Sequence, residues 1–203
     1  MVAYVFDTIL QQGVAAGEVP ARTRAARDWF RETASSFRTT PNELLRGAAE
    51  AEGGSALTGR TFPGRMYTFF YDPKTKRDLP YYDRFPLIFK IKNIDGGFLG
   101  INMHYLPPQL RARLMDALYP LATNRKYDET TRLRLTYEIL NSATKYRFFK
   151  PTIKKYLNSN VRSRYIQINA NQWDMALFLP TERFVKKNKN FVWRESRRAI
   201  RRR

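Results

Sequence analysis

The stretch spanning residues 64–108 constrains the fold most, because it contains three strand-like runs joined by residues that are typical of turns. The runs cover residues 66–71, 87–91 and 98–105 and are rich in aromatic, β-branched and other apolar side chains. Asp95-Gly96-Gly97 separates the last two runs, and tight hairpin turns favour glycine because they need positive φ angles. The stretch therefore predicts a small antiparallel β-sheet, either open or curled into a partial barrel.

Helical patterns precede this stretch. Residues 4–16 and 42–49 predict two short helices, and Gly17 is placed to end the first. Between them, Ala26 and Phe30 share an apolar face while arginines occupy the other, which predicts an amphipathic helix. Such a helix must dock on an apolar surface, and that surface belongs either to its own domain or to a partner subunit.

The division of the chain follows from a glycine-rich segment. Residues 50–59 are small and polar and include several glycines, a composition that is typical of a linker. We therefore predict that residues 1–58 form an N-terminal helical arm and linker. Residues 59–203 are predicted to form an α+β core domain with a basic C-terminal helical region.

The C-terminal half is predicted to be mainly helical. One helix should begin after Pro107-Pro108 and another after Asp128, a residue that favours helix N-termini. Residues 150–157 are also predicted to be helical, residues 164–168 to form a strand and residues 171–179 a short helix, and a last helix should run from about Asn190 to the end of the chain. The predicted fold class is α+β, with a small antiparallel sheet or partial barrel surrounded by helices.

The charge of the chain is strongly positive and unevenly placed. The formal net charge is +19, and residues 1–110 hold 14 lysines and arginines against 11 acidic residues. Residues 111–203 hold 23 against 7. This asymmetry predicts a polyanionic partner for the C-terminal half, with nucleic acid as the first choice. The alternative is a solvated basic surface, or one that meets an acidic protein.

The candidate nucleic-acid-binding residues are the basic side chains of the last 59 residues, where 17 lysines and arginines face 3 acidic residues. Four arginines of the last predicted helix recur at helical spacing and form one face. Aromatic residues are interleaved with the charges; most should pack in the core, while others are suited to stacking on unpaired bases at a strand end. Because no base-reading motif is present, contacts should be mainly to the DNA backbone, insensitive to sequence and sensitive to salt. The candidates are Lys145, Arg147, Lys150, Lys154, Lys155, Arg162, Arg164, Lys186, Lys187, Lys189, Arg194, Arg197, Arg198 and Arg201.

The sequence gives little support for catalysis. It has no cysteine and a single histidine, His104, so a metal site would have to be built from carboxylates. No nucleophile-elbow or phosphate-loop motif occurs. A nuclease would need carboxylates around a metal ion, and Asp72-Pro73-Lys74 is the one acid-x-lysine triplet at a predicted strand end. We predict no catalytic or metal-binding residues, no cofactor, no small-molecule substrate, no signal peptide and no membrane partner.

Several segments resemble proteins of T4-like tailed bacteriophages. They read GRMYTFFYDPKTKRDLPYYDRFPLIF, GGFLGINMHYLPP, KYDETTRLRLTYEILNSA, VRSRYIQI and WDMALFLPTERF, so the likeness covers roughly residues 60–200 and leaves out the N-terminal arm. The closest resemblance is to the DNA end protector family of head-completion proteins.

This resemblance implies a non-enzymatic virion protein, present in the host cytoplasm during assembly. It would bind the terminus of the packaged double-stranded DNA, shield it from exonuclease and help to complete the head for tail joining. The implied protein partners are portal, neck or tail proteins of the phage. The alternative is a structural neck, tail or baseplate-hub component that binds mainly protein neighbours.

Overall fold

The fold was analysed in a computed structural model that describes residues 4–18, 23–51, 56–122, 124, 126–143 and 147–201, with the backbone alone at 119, 121, 122, 129, 133, 143 and 147. The described α-helices are α1 (Val5–Ala15), α2 (Arg24–Ser36), α3 (Pro41–Glu50), α4 (Pro108–Ala122), α5 (Glu129–Ala143), α6 (Trp173–Phe178) and α7 (Lys189–Arg201). The described strands are β1 (Leu57–Thr58), β2 (Met66–Thr68), β3 (Tyr82–Asp83), β4 (Leu87–Ile94), β5 (Gly97–Asn102), β6 (Ile153–Leu157), β7 (Tyr165–Ile168) and β8 (Phe184–Val185). None of the described helices is long and apolar enough to cross a membrane.

Local sequence signals explain where three of the helices begin or end. Thr40 and Glu43 form a reciprocal capping box at the start of α3. The Asp128 carboxylate accepts a hydrogen bond from the Thr131 backbone N–H at 2.7 Å, as the predicted cap of α5 requires. Gly17 lies just beyond α1 with a φ of 76°, a conformation that glycine adopts without strain. These predicted helices are confirmed.

The fold is α+β, as predicted, and its sheet is open. Six antiparallel strands pair in the order β1-β7-β2-β4-β5-β6, while β3 and β8 form a separate two-stranded sheet. The predicted hairpin between β4 and β5 is confirmed, with Ile94 paired to Gly97 across the turn. Gly96 in that turn has a φ of 68°. The described strands form no closed barrel.

The two faces of the large sheet are covered differently. Alternate residues of β4, such as Leu87 and Phe89, join a main core to which the helices contribute. Ile88, which lies between them, joins a second cluster made mostly of aromatic residues, including Phe98 and Tyr156. The sheet therefore has a helix-packed face and an aromatic face.

The prediction of a helix at residues 150–157 was wrong. Residues Arg147–Thr152 form a 3₁₀ helix, and the next five residues form the edge strand β6. Ile153 pairs with Ile101 and Tyr156 with Phe98 across the β5–β6 ladder. The backbone hydrogen bonds of this ladder, together with the β-preferring Ile and Tyr side chains, outweigh the local helical spacing.

The predicted strand at 98–105 ends earlier than expected. Its last three residues, Met103–Tyr105, form a 3₁₀ turn. The Asn102 side-chain oxygen accepts a hydrogen bond from the His104 backbone N–H at 3.0 Å. This bond caps the turn and takes the place of a hydrogen bond to a neighbouring strand.

The amphipathic helix α2 docks on its own chain, which was one of the two predicted alternatives. Phe30 and Ala34 belong to the main core. The Arg31 guanidinium also bonds Asp174 of α6 at 2.6 Å and Asp116 of α4 at 2.7 Å. The division of the chain at residue 58 stays a prediction, and residues 52–55 of the predicted linker lie outside the described residues.

Candidate nucleic-acid interface

Helix α7 has one packed and one solvent-facing side, as its arginine spacing predicts. Val192 and Ser196 are buried, and the Trp193 indole N–H donates to the His104 carbonyl at 2.8 Å. This side lies against the 3₁₀ segments Met103–Tyr105 and Arg147–Thr152. Ala199, which helical spacing places on the same side as Val192 and Ser196, is exposed.

The opposite side of α7 presents four exposed arginines. The Arg198 guanidinium bonds the Glu195 carboxylate at 2.8 Å. Arg194 lies over the Phe191 ring, with its guanidinium carbon 5.3 Å from the ring centroid. Arg197 and Arg201 complete the stripe, so most of its positive charge faces solvent without an acidic partner among the described residues.

The structure places the fourteen predicted binding residues as follows. Lys145 lies outside the described residues, and only the backbone of Arg147 is described. Lys154 is half-buried. The exposed members are Lys150, Lys155, Arg162, Arg164, Lys186, Lys187, Lys189, Arg194, Arg197, Arg198 and Arg201.

The lysines that precede α7 connect the helix with the loop that precedes β3. The Lys186 ammonium donates to the backbone carbonyls of Arg77 and Leu79 at 2.8 and 2.7 Å. Lys187 lies 4.9 Å from the centroid of the Phe191 ring, and that ring meets Tyr81 edge to face. This set of cations therefore borders the segment 73–82.

A cleft opens on the aromatic face of the sheet, between segment 71–83 and strand β6. Its volume is about 430 Å³. Tyrosines contribute much of its lining, together with leucine, isoleucine and lysine side chains. Tyr81 and Tyr82 are half-buried at this cleft, whereas the deeper rings of Tyr71, Tyr105 and Tyr156 are almost fully buried. We call this feature the tyrosine cleft.

Two of the predicted cations, Lys154 and Lys155, line the tyrosine cleft. The Lys154 ammonium lies 4.1 Å from the centroid of the Tyr105 ring, and burial lowers the pKa of Lys154 to about 8. Lys154 is half-buried, whereas Lys155 is exposed.

The floor of the cleft is formed by a cluster of hydrogen-bonded polar side chains. The Asn102 amide donates to the Tyr156 hydroxyl at 3.1 Å and to Asp83 at 3.3 Å. The Nδ1 atom of His104 lies 2.7 Å from the same Asp83 oxygen. His104 is completely buried, so its imidazole has no access to solvent. Its contact with Asp83 holds the polar side chains of the floor in place.

An ion pair supports this floor from behind. The Arg111 guanidinium is buried and donates to the Glu182 carboxylate at 2.8 Å. Although burial raises the pKa of Glu182, the Coulomb interactions with His104 and Arg111 and the Arg111 hydrogen bond outweigh it and lower that pKa to about 2. Burial lowers the pKa of Arg111, and Glu182 partly opposes that shift.

The remaining candidates lie apart from α7. Arg162 lies close enough to Asp72 to help lower that carboxylate's pKa, although the hydrogen bond from Lys76 is the larger cause. The Arg162 backbone N–H donates to the Phe70 carbonyl at 2.8 Å, so Arg162 lies beside the start of the segment that borders the cleft. Arg164 donates to the Leu57 carbonyl at 3.1 Å and so lies beside β1.

The geometry also bears on the nuclease alternative. Asp72 forms an exposed ion pair with Lys76, with 2.9 Å between the carboxylate and the ammonium. Among the described residues, no group of three or more acidic or histidine side chains is arranged to hold a metal ion.

Sequence reasoning missed Lys74, Tyr81 and Tyr82 as members of a site. The available signal was the pair of adjacent tyrosines between Pro80 and Pro86. Their partner strand β6 was predicted to be helical, so the sequence offered no second wall for a cleft.

Comparison with known proteins identifies a family. A family model described as phage T4 terminal DNA protecting protein matches residues 6–198. This range includes the N-terminal helices, which the resemblance to residues 60–200 had left out. Neither a curated protein nor a solved structure matches the chain.

Proposed function

The chain belongs to the family of phage T4 terminal DNA protecting proteins, and from that premise we propose that it binds and caps the end of the packaged double-stranded DNA. In this role it protects the end from exonuclease and helps to complete the head for tail joining. Its place is the virion, with the host cytoplasm as its location during assembly.

The arginine stripe of α7 is the observation that supports this proposal most directly. The helix has 13 residues and is therefore about 20 Å long at 1.5 Å per residue. A duplex carries roughly twelve phosphate charges over that length. Exposed guanidinium groups on a packed helix can contact several of these phosphates without reading bases, so binding should be sensitive to salt and tolerant of sequence.

The proposed mechanism needs no chemical step. An exonuclease that starts at a terminus needs access to the last nucleotides, and a protein seated there blocks that access for as long as it stays bound. The occupancy of the end, and hence the dissociation rate, then sets the degree of protection. The further partners in this proposal are the portal, neck or tail proteins that surround the genome end.

Exonuclease protection provides the test. Linear duplex is incubated with saturating protein and then with an end-dependent exonuclease, with a covalently closed circle of the same sequence as competitor. We expect the linear DNA to survive and the circle to compete poorly. Equal degradation with and without the protein overturns the proposal, and so does metal-dependent cleavage of the DNA by the protein itself.

The position of the chain in a virion reconstruction provides an independent test. The proposal expects density for the fold at the portal channel or neck, next to the DNA end. Density far down the tail would instead support the alternative of a structural component that binds mainly protein neighbours.

A further inference from the structure

We propose that the tyrosine cleft holds the terminal nucleotide of a DNA strand, with the base against the half-buried rings of Tyr81 and Tyr82 and the phosphate near Lys154. This inference rests on the proposed function and deepens it, because it assigns the recognition of an end to a site distinct from α7.

The size of the cleft fits one nucleotide. A volume of about 430 Å³ is in the range of small-molecule sites and far too small for a duplex. Its lining combines flat aromatic walls with cations, the two features by which proteins hold single unpaired nucleotides. A base stacks on a tyrosine ring whatever its identity, so the site does not require a particular terminal sequence.

The charges of the cleft set the orientation of the nucleotide. Asp83 lies at the floor and its carboxylate already accepts a hydrogen bond from Asn102 and contacts His104. A phosphate beside this carboxylate is disfavoured, so the phosphate lies away from Asp83. The phosphate then lies towards Lys154 and the exposed Lys74 at the rim. Among the described residues, neither of these ammonium groups has an ion-pair partner.

Cations near the cleft attract the end of a duplex to it. On one side, Tyr81 contacts Phe191, whose ring also carries Lys187 and Arg194. Near the other end of segment 71–83, Arg162 lies close to Asp72. Cations near both ends of this segment attract the phosphates of a duplex, and only its terminus offers a nucleotide that can leave the stack easily, because extruding an internal base breaks pairing and stacking on both sides.

The test compares two duplexes of identical length and sequence, one with open ends and one with both ends closed by covalent hairpins. Dissociation constants are measured for the wild-type protein and for the variants Lys154→Gln and Tyr81→Leu. Matched controls are Lys126→Gln and Tyr127→Leu, because both residues are exposed between α4 and α5 and do not line the cleft. Lys154→Gln removes a half-buried charge and so should not threaten the fold, which thermal unfolding checks for every variant.

We expect the wild type to prefer open ends, and each cleft variant to lose about tenfold of that preference through weaker binding to the open duplex alone. The two control variants should keep the wild-type ratio. If the wild type binds both duplexes equally, the proposed function itself fails. If the wild type prefers open ends and both cleft variants keep that preference, the assignment of the cleft is overturned while the proposed function stands.

Discussion

Arg111 shows how a single buried side chain can hold several segments together. Its guanidinium donates to the backbone carbonyls of Leu106 and Leu177 at 2.7 Å each, as well as to the Glu182 carboxylate. It therefore joins the segment before α4, the end of α6 and the segment before β8. A charge this deeply buried is tolerated only when nearly all of its donors have partners.

Replacing Glu182 tests this pair. The pKa of Glu182 is about 2, below its ordinary value of 4.5, so its ionisation stabilises the fold fully above about pH 4.5 and this contribution is lost as the pH falls towards 2. Glu182→Gln leaves Arg111 buried without its counter-charge, and we expect the free energy of unfolding at pH 7 to fall by roughly 3 kcal/mol. Chemical denaturation between pH 2 and 7 should show this difference shrinking at acid pH.

The control for this substitution is Glu195→Gln. Glu195 pairs with Arg198 on the surface of α7, and such pairs contribute less than about 1 kcal/mol. A difference for Glu182→Gln that stays constant across the pH range would contradict the assignment of the pair.

Lys154 predicts a pH dependence of end binding. Its pKa is about 8, and a phosphate held nearby favours the charged form, so binding takes up a proton. We expect the affinity for open ends to weaken as the pH rises from 7 to 9, and Lys154→Gln to flatten this profile.

The lining tyrosines Tyr71, Tyr81, Tyr105 and Tyr156 stay neutral between pH 7 and 9, because burial raises their pKa values above 10. Tyr82 also lines the cleft, and the other charged side chains there are Lys74, Asp83 and Lys155. An unchanged slope in the variant would count against phosphate binding at Lys154.

At the scale of elements, local signals could be read from the sequence and long-range pairing could not. The β4–β5 turn is specified by Asp95-Gly96-Gly97, and the α3 start by Thr40 and Glu43, all within a few residues. Strand β6 depends on pairing with β5, about fifty residues away, so the spacing of its own apolar residues wrongly predicted a helix. The tyrosine cleft needs both β6 and the segment around Tyr81, and for that reason it could not be predicted, whereas the stripe on α7 could.

The arginine stripe predicts a defined salt effect. Replacing Arg194, Arg197 and Arg201 with glutamine should reduce the slope of log K against log salt concentration by about 3 in magnitude, equally for unrelated duplex sequences. Arg198 is left in place because it bonds Glu195. The measurement is a series of binding titrations between low and physiological salt.

The matched control removes the same charge elsewhere, by glutamine at Arg24, Arg46 and Arg60, all exposed in the first 60 residues. This triple variant should keep nearly the wild-type slope. Equal reductions in both variants would show that net charge, and not α7, determines DNA affinity.

The ion pairs of α2 predict how much the contacts of this helix contribute to the free energy of unfolding. Arg31→Leu leaves Asp174 buried without the guanidinium 2.6 Å away, and we expect a loss of about 3 kcal/mol in the free energy of unfolding. Arg24→Leu, on the same helix, removes a guanidinium that is 86% exposed and 3.9 Å from Asp28, and should cost less than about 0.5 kcal/mol. Urea denaturation of both variants gives the comparison, and similar losses would mean that the buried contact adds nothing.

At the scale of the whole molecule, the N-terminal helices and the tyrosine cleft lie on different faces of the large sheet. The N-terminal helices share the main core, whereas the tyrosine cleft opens on the aromatic face. Changes in these helices should therefore alter stability before they alter DNA binding.

Hydrogen exchange tests the proposed division at residue 58. If residues 1–58 form an appended arm, the amides of α1–α3 should exchange through a partial opening that leaves β4 and β5 protected. The expected result is a lower opening free energy for those helices than for the two strands. Equal values for both sets would show that the arm and the sheet unfold as one unit, and would overturn the division.

Strand β6 ends the six-stranded sheet and has no neighbouring strand on its outer side among the described residues. Free strand edges are where soluble proteins join edge to edge, and lysines on an edge strand oppose that joining. Lys154 and Lys155 lie on this strand, so two copies that approached through it would bring four ammonium groups together. The lysines that we propose for DNA binding thus also oppose the extension of the sheet from one copy of the chain to another.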